Sequence, residues 1–146
     1  MNITIRVATI TDVPEILKIY AAALDNHQVL TVGEAEKIFV RQNQYPDYHV
    51  FMAENEHQAV GTFALLVMEN MAHMGTPSAV VEDVGVLPEF QGFGIGKKMM
   101  AYALQYAKAK GCYKMSLSSN LRREQAHQFY ESLGFTKHGY SFLMEI

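Results

Sequence analysis

Apolar and polar positions along the chain follow two periods, and each change of period marks the start of another predicted element. Alternating or short continuous apolar runs predict strands at 3–7, 48–54, 58–69, 79–87 and 113–118. Apolar residues at helical spacing predict helices over 12–24, 34–42, 96–110 and 123–133. Two last runs, Phe135–His138 and Ser141–Glu145, predict a closing hairpin around Gly139. The predicted order is β-α-α-β-β-β-α-β-α-β-β, in a single domain over 1–146.

The composition is that of an ordinary globular domain and narrows the class of partner. The 146 residues are 49% hydrophobic and 18% charged, which is enough for one substantial core. A formal net charge of −3 gives no reason to expect a nucleic acid partner. Cys112 is the only cysteine, which fits a reducing compartment. Because we find neither the build of a signal peptide nor an apolar run long enough to span a bilayer, we expect a cytoplasmic protein without a membrane partner.

A loop rich in glycine joins the fourth predicted strand to the third predicted helix. It reads Q-G-F-G-I-G-K from Gln91 to Lys97. Glycines let a ligand approach the bare backbone, and the N–H groups with the following helix N-terminus form a site for an anionic phosphate. The spacing fits neither the P-loop pattern G-x-x-x-x-G-K-[ST] nor the dinucleotide pattern G-x-G-x-x-G.

The loop resembles the pyrophosphate loop of the acetyl-CoA-dependent N-acetyltransferase superfamily, GNAT. That loop reads [Arg/Gln]-x-x-Gly-x-[Gly/Ala], and Gln91, Gly94 and Gly96 match it. The run A-H-Q-F-Y-E-S-L-G-F from Ala126 to Phe135 is similar to the second signature of the family, A-x-x-[LF]-Y-x-x-x-G-F. The resemblance implies the GNAT fold, an α/β (α+β) architecture whose mixed, mostly antiparallel central sheet has about seven strands and is flanked by four helices.

Two local matches point to a small amine as the acetyl acceptor. The run S-S-N-L-R-R-E-Q-A-H-Q-F-Y from Ser118 to Tyr130 resembles aminoalkylphosphonate N-acetyltransferases. The runs E-D-V from Glu82 and G-C-Y-K from Gly111 resemble glucosamine-6-phosphate N-acetyltransferases. The matches suggest a small-amine substrate and leave its identity open.

The resemblance implies that acetyl-CoA is the co-substrate and indicates which residues hold it. In the family, one strand bulges and splays from the next, so that the pantetheine arm pairs with its backbone. Gly85, inside the fourth predicted strand, indicates either that bulge or a close backbone approach. The residues expected to bind the co-substrate are Val84, Val86, Gln91, Gly92, Phe93, Gly94, Ile95, Gly96, Lys97, Asn120 and Arg123.

Three residues are candidates for the proton transfers. An alkylammonium with a pKa of about 10 must lose a proton before it attacks, and Glu82 and Asp83 are adjacent carboxylates on the expected strand. We favour Glu82 as the base because strand alternation places it on the side of Val84 and Val86, while Asp83 could instead bind the amine. In the family, Tyr130 corresponds to the usual proton donor to the leaving thiolate, and a phenol is protonated at neutral pH.

By the same resemblance, the acceptor pocket is formed by the loop between the first two helices and by nearby strand ends. The expected segments are Asp25–Gly33, Asn70–Pro77 and the region of Tyr140. The candidate residues are His27, Met71, His73, Met74 and Tyr140. We expect no metal, because no histidine pair has the spacing of a zinc-binding helix. Family members often dimerise, so a homodimer is a further expectation.

Three functions remain open, and the sequence favours the first. The first is an enzyme that moves the acetyl group of acetyl-CoA to a small primary amine by direct attack. The second is a protein or peptide N-acetyltransferase, which needs an open groove that Asn70–Pro77 could line or close. The third is a non-catalytic acyl-CoA-binding module, which is disfavoured because Glu82, Asp83 and Tyr130 are all present.

Overall fold

A computed structural model describes all residues from Met1 to Ile146. Five strands and four α-helices follow one another in the order β1-α1-α2-β2-β3-β4-α3-β5-α4. The strands are β1 (Ile3–Val7), β2 (Tyr48–Asn55), β3 (Gln58–Met68), β4 (Ser78–Val86) and β5 (Met115–Ser116). The helices are α1 (Val13–Ala23), α2 (Val32–Gln42), α3 (Ile95–Ala109) and α4 (Glu124–Ser132). The chain divides into two units, Met1–Ser116 and Leu117–Ile146.

The five strands form one sheet in the order β1-β2-β3-β4-β5. The first four are antiparallel to their neighbours, whereas β5 runs parallel to β4 and pairs only with its first residues. Because side chains alternate along a strand, β2 contributes to two layers. Val50 and Met52 pack into the core beneath α1 and α2, while the ring of Phe51 contacts Tyr102 and Tyr106 of α3. The sheet therefore separates α1 and α2 from α3.

Local signals explain where the first two helices begin. At the start of α2, the N–H of Glu34 donates to Oγ1 of Thr31 at 3.3 Å, and the Thr31 N–H donates to the Glu34 carboxylate at 3.0 Å. Asp12 precedes α1 and accepts two hydrogen bonds from the Arg6 guanidinium, at 2.7 and 2.8 Å. The same guanidinium reaches Glu54 at 2.6 Å, which ties β1 to β2. No helix combines the length and apolar character needed to cross a lipid bilayer.

The predicted closing hairpin is not formed, so the sheet has five strands instead of about seven. Residues 136–146 contain no strand, and Phe142 and Leu143 are 93% and 87% exposed. Within the second unit α4 is the only regular element, and two short strands are not stable in water without further apolar surface to pack against. The fifth strand is also shorter than predicted. The mixed class, the four helices and the mostly antiparallel sheet are confirmed.

Candidate functional site

Strand β4 bulges at Asp83. Glu82 pairs with Ala64 of β3 and Gly85 pairs with Thr62, so two residues of β4 lie opposite a single residue of β3. Asp83 has a φ of 52°, in the left-handed region that aspartate tolerates better than most residues with a side chain. The extra residue reverses the alternation of side chains along the rest of the strand.

This reversal corrects the argument that favoured Glu82 as the base. Glu82 lies on the face of Ala64, which belongs to the core under α1 and α2. Val86 pairs with Gly61, where an added Cβ would lie 2.8 Å from Sδ of Met99 in α3. Glu82 and Val86 therefore face opposite sides of the sheet, and the expected shared parity is wrong because the bulge intervenes.

Gly85 is not the position of the bulge, which lies two residues earlier, but it does mark a close approach. A Cβ on Gly85 would lie 3.2 Å from Cγ2 of Ile19 and 3.4 Å from Cβ of Ala23. Both contacts are with α1. Gly85 thus lets α1 pack tightly on β4, next to the bulge.

The strand β4 has a free edge beyond Val80. β5 pairs only with Ala79 and Val80, so the later residues of β4 have no partner strand from the first unit on this side. The splay that would admit a pantetheine arm stays a prediction. The Leu87 N–H donates to the Val60 carbonyl at 2.9 Å. In an antiparallel ladder hydrogen-bonded and non-hydrogen-bonded pairs alternate. The N–H and C=O of Val86 therefore point away from β3. The carbonyl accepts a hydrogen bond from Nε2 of Gln91, and the N–H is left for an extended ligand to pair with.

The loop after β4 presents a row of free backbone donors. The N–H groups from Gly92 to Lys97 donate to no backbone carbonyl of the chain, and the first bond of α3 runs from the Lys98 N–H to the Gly94 carbonyl at 3.2 Å. Gly92 and Gly94 have φ angles of 84° and 80°. A Cβ on either would meet nothing within 4 Å, so the backbone conformation, not packing, requires glycine. Free N–H groups at a helix N-terminus suit an anion such as a pyrophosphate.

The side chains of this loop divide between structural and exposed positions. Nε2 of Gln91 donates to the Val86 carbonyl at 3.0 Å, which ties the loop to the end of β4. Ile95 is 1% exposed and belongs to the core, so it offers only its backbone N–H. Phe93 is 62% exposed, and Gly96 and Lys97 lie in the first turn of α3, with Lys97 exposed.

A cavity of about 520 Å³ opens beside the β4 bulge, among residues of α1, α2 and the loop between them. Nine of its lining side chains are apolar, among them Val29, Leu30, Ile38 and Phe39. The polar lining residues are Tyr20, Asp25, Gln28, Gln42 and Asp83. A cavity of this size and mostly apolar character is typical of a site for a small molecule.

Negative charge collects at the bulge side of the cavity. Burial raises the pKa of Asp83, and the charge of Asp25 raises it further. Burial also raises the pKa of Glu82, with a contribution from Asp83. Burial, then the charge of Asp83, raises the pKa of Tyr20, so this phenol stays neutral. Neither Asp25 nor Asp83 forms an ion pair, and no Lys, Arg or His lines the cavity.

Tyr130 lies on α4, in the second unit. Its half-buried ring contacts Phe129 and Phe135, with centroid distances of 5.2 and 5.7 Å. Burial raises the pKa of Tyr130, partly offset by the positive charge of Arg123. The hydroxyl is therefore protonated at neutral pH, as a proton donor must be.

The two remaining predicted ligands of the co-substrate lie just before α4. Asn120 shapes the turn there: its Oδ1 accepts the N–H of Arg122 at 2.9 Å. Its carbonyl accepts the N–H of Arg123 at 3.0 Å and lies 2.7 Å from Nε2 of His127. Arg123 is the exposed N-cap residue of α4. Their part in binding acetyl-CoA stays a prediction.

The residues that line the cavity agree only in part with those predicted for the acceptor pocket. The segment Asp25–Gly33 does contribute to the cavity. The predicted residues His27, Met71, His73 and Met74 do not line it, and Tyr140 lies in the second unit. No three side chains of His, Cys, Asp or Glu converge so that they could hold a metal ion, and the absence of a metal stays a prediction.

The sequence analysis missed the helical part of the cavity wall. Tyr20 and Gln42 line the cavity from α1 and α2, together with Ile38 and Phe39. Tyr20, Ile38 and Phe39 lie at helical spacing, which is equally typical of core positions. Tyr20 carries a polar hydroxyl on the otherwise apolar face of α1, and this is the sequence feature that could have indicated the cavity wall.

Comparison with known proteins places this geometry in a family. The model of the acetyltransferase (GNAT) family matches residues 14–135. The chain is 34% identical over 89 residues to the glucosamine 6-phosphate N-acetyltransferase of Trypanosoma brucei brucei, covering 61% of this chain and 58% of that protein. It is 30% identical over 97 residues to the aminoalkylphosphonate N-acetyltransferase of Salmonella typhimurium, covering 66% and 62%. The matched part thus spans about three fifths of these curated relatives.

Solved structures agree with the sequence matches. The fold superposes with a TM-score of 0.92 on an Agrobacterium tumefaciens protein assigned as an acetyltransferase, at 29% identity, covering 98% of this chain and 99% of that one. The TM-score is 0.84 with the glucosamine-6-phosphate N-acetyltransferase of Arabidopsis thaliana, at 21% identity, covering 99% of each chain, which shows a shared fold alone. The predicted fold class is confirmed.

Proposed function

Because the chain belongs to the GNAT acetyltransferase family, we propose that it moves the acetyl group of acetyl-CoA to a primary amine of a small molecule. One observation carries the proposal: the bulge that turns Asp83 into the cavity lies on the strand whose free edge and following loop suit CoA. An amine in the cavity and a thioester at the strand edge would both reach β4.

Acetyl-CoA would be held mainly by backbone groups. The free N–H groups from Gly92 to Lys97 would bind the pyrophosphate. The edge of β4 at Val84 and Val86 would pair with the pantetheine arm, and the Val86 N–H, which points to that edge, is a candidate donor to the thioester oxygen. Asn120 and Arg123 are further candidates on the resemblance to the family.

The chemistry requires three proton transfers at the reacting atoms, while one bond forms and one bond breaks. We assign the base to Asp83, because it lines the cavity and has a raised pKa; Glu82 is the second candidate. The ammonium gives its proton to the carboxylate, and the amine nitrogen attacks the thioester carbon. The C–N bond forms and the C–S bond breaks. The nitrogen gives up its second proton to water, and the thiolate takes a proton from the phenol of Tyr130. Asp83 and Tyr130 return to their starting protonation states by exchange with water, so one proton is released per turnover.

The test is release of CoA thiol from acetyl-CoA in the presence of single amines, with mass detection of the N-acetyl product. The panel contains alkylamines, amino sugars, aminophosphonates, polyamines and peptides. We expect thiol release with at least one small amine. Acetylation of peptides alone would favour a protein N-acetyltransferase. Tight binding of acetyl-CoA without thiol release from any amine would identify an acyl-CoA-binding module.

Location and assembly are separate proposals. The proposal of a cytoplasmic location rests on the sequence. The proposal of a homodimer rests on the frequent dimerisation of family members. Sedimentation of the purified protein would measure its oligomeric state, and a sedimentation coefficient that matches a monomer at all concentrations would contradict the dimer.

A further inference from the structure

The charged groups that line the cavity are all acidic. The acceptors in the names of two relatives carry a phosphate or phosphonate group. A site for such a dianion needs a cation or a cluster of free N–H donors. Here Asp25 and Asp83 supply two carboxylates, and no Lys, Arg or His lines the wall.

The wall of the cavity is apolar and partly exposed. Val29, Leu30 and Ile38 line it and are 40%, 45% and 37% exposed. Phe39 closes the interior and is 6% exposed. Exposed aliphatic side chains that converge on one cavity are covered favourably by an apolar ligand.

We propose that the acceptor is a primary amine on an unphosphorylated, apolar body, such as an alkylamine or arylalkylamine. Its ammonium group contacts Asp25 and Asp83, and its body lies against Val29, Leu30 and Ile38. This inference rests on the proposed function and narrows it to one class of acceptor.

Electrostatics favours this class over phosphorylated amines. Two carboxylates without ion pairs attract an ammonium, and the attraction is strengthened in a cavity of low polarity. A phosphate or phosphonate in the same cavity would meet like charge and find no cation. Tyr20 and Gln42 offer neutral polar groups, which suit a hydroxyl on the acceptor but cannot neutralise a dianion.

The first experiment compares matched amines by their kcat/KM with acetyl-CoA. Along n-propylamine, n-butylamine, n-hexylamine and n-octylamine, we expect a rise of about three- to fourfold per methylene until the cavity is filled. n-Propylamine should exceed 2-aminoethylphosphonate by about tenfold or more, and glucosamine should exceed glucosamine 6-phosphate. The inference would be overturned if an amine that carries a phosphate or phosphonate reacted faster than the matched amine without that group.

The second experiment changes the cavity. Asp25→Asn should raise the KM for n-octylamine about tenfold, whereas Glu69→Gln, at an exposed carboxylate outside the cavity, should leave it unchanged. Ile38→Ser should flatten the rise with chain length. Val40→Ser is the matched control, because Val40 is a similarly exposed residue of α2 that does not line the cavity. Equal effects of Ile38→Ser and Val40→Ser, with both variants folded by circular dichroism, would contradict the apolar wall.

The outcomes separate this inference from the proposed function. Thiol release with phosphorylated amines or peptides, but not with apolar amines, overturns the inference and leaves the acetyltransferase proposal standing. No thiol release with any amine, in a protein that binds acetyl-CoA by calorimetry, overturns both. A preference for apolar amines that survives Asp25→Asn unchanged contradicts the role of that carboxylate.

Discussion

Asp25, which follows α1, and Asp83, in β4, line one cavity, where burial and then the negative charge of Asp25 raise the pKa of Asp83. The two carboxylates have no cationic partner in the structure. This relationship makes Asp83 a stronger base than an ordinary aspartate and prepares the cavity for an ammonium.

The first prediction concerns the pH dependence of the reaction. Asp25→Asn removes a like charge, so the pKa of Asp83 falls toward its ordinary value, although the larger effect of burial remains. Because Asp83 must be ionised to accept a proton, the acid limb of kcat/KM should move to lower pH. The limb is measured with one amine over a pH series, with Glu69→Gln as the control. An acid limb that stays in place would argue that Asp83 is not the base.

The second prediction separates stability from activity at Asp83. Its pKa is raised in the folded state, so the folded protein binds a proton more tightly than the unfolded chain. Stability from this group is present at low pH and is lost as pH rises from the ordinary carboxyl value through the folded pKa. At neutral pH the folded protein therefore bears the cost of an ionised carboxylate at Asp83, and Asp83→Asn removes that cost. Asparagine also accepts the left-handed φ of 52°.

We therefore expect Asp83→Asn to raise the Tm at pH 7 by about 1–2 °C and to lower kcat by about 100-fold or more. Thermal unfolding and steady-state kinetics on the same preparation measure both. A variant that is less stable and fully active would contradict both the sign of the pKa effect and the assignment of the base.

The glycine loop of the candidate site could be predicted from the sequence, because its backbone conformation depends on neighbouring residues in the chain. The loop with Gly92 and Gly94 follows an apolar strand, and the structure gives both glycines the positive φ that requires them. The side of the sheet on which Glu82 and Asp83 lie could not be predicted from the sequence. Alternation along a strand fails where a bulge inserts a residue, and here the left-handed residue is an aspartate, which carries no glycine signal.

Other features depend on contacts that a single sequence does not display. The cavity joins α1, α2 and β4, and its wall has the same helical spacing as the core. Phe142, Leu143 and Met144 form a short apolar run, but a strand also needs a partner, and none is formed there. Pairing is decided by tertiary structure, which local propensity does not contain.

The third prediction tests Gly85 as a packing residue. Gly85→Ala would place a Cβ at 3.2 Å from Ile19 and 3.4 Å from Ala23, so α1 must move. We expect a loss of about 1–3 kcal/mol in the free energy of unfolding. Gly33→Ala is the matched control, because a Cβ on Gly33 meets nothing within 4 Å in α2. Urea unfolding measures both, and equal stability of the two variants would contradict the packing role.

The fourth prediction tests the glycine loop. Gly94 has a φ of 80° and an open surrounding, so Gly94→Ala strains the backbone by about 1–2 kcal/mol without a steric clash. We expect the loop to relax and the Kd for CoA to rise about tenfold, while Gly33→Ala leaves it unchanged. Isothermal titration with CoA measures the Kd. Unchanged affinity in a folded Gly94→Ala variant would mean that the loop does not bind the pyrophosphate.

The fifth prediction tests Tyr130 as the acid. Burial raises the pKa of its phenol despite the nearby charge of Arg123, so the proton is available across the neutral range. Tyr130→Phe keeps the ring contacts with Phe129 and Phe135 and removes only the hydroxyl. We expect kcat to fall by about 10²–10⁴-fold and the alkaline limb of the wild-type profile to disappear.

Tyr45→Phe serves as the control for that variant, because Tyr45 is an exposed tyrosine of the first unit outside the cavity and the CoA-binding segments. Its kcat should match the wild type at every pH. Two further measurements make the result specific: the Kd for CoA should be unchanged in Tyr130→Phe, and a thioester with a better leaving thiol should restore part of the lost rate. If turnover by Tyr130→Phe equals that of the wild type at all pH values, the thiolate takes its proton from another group or from water.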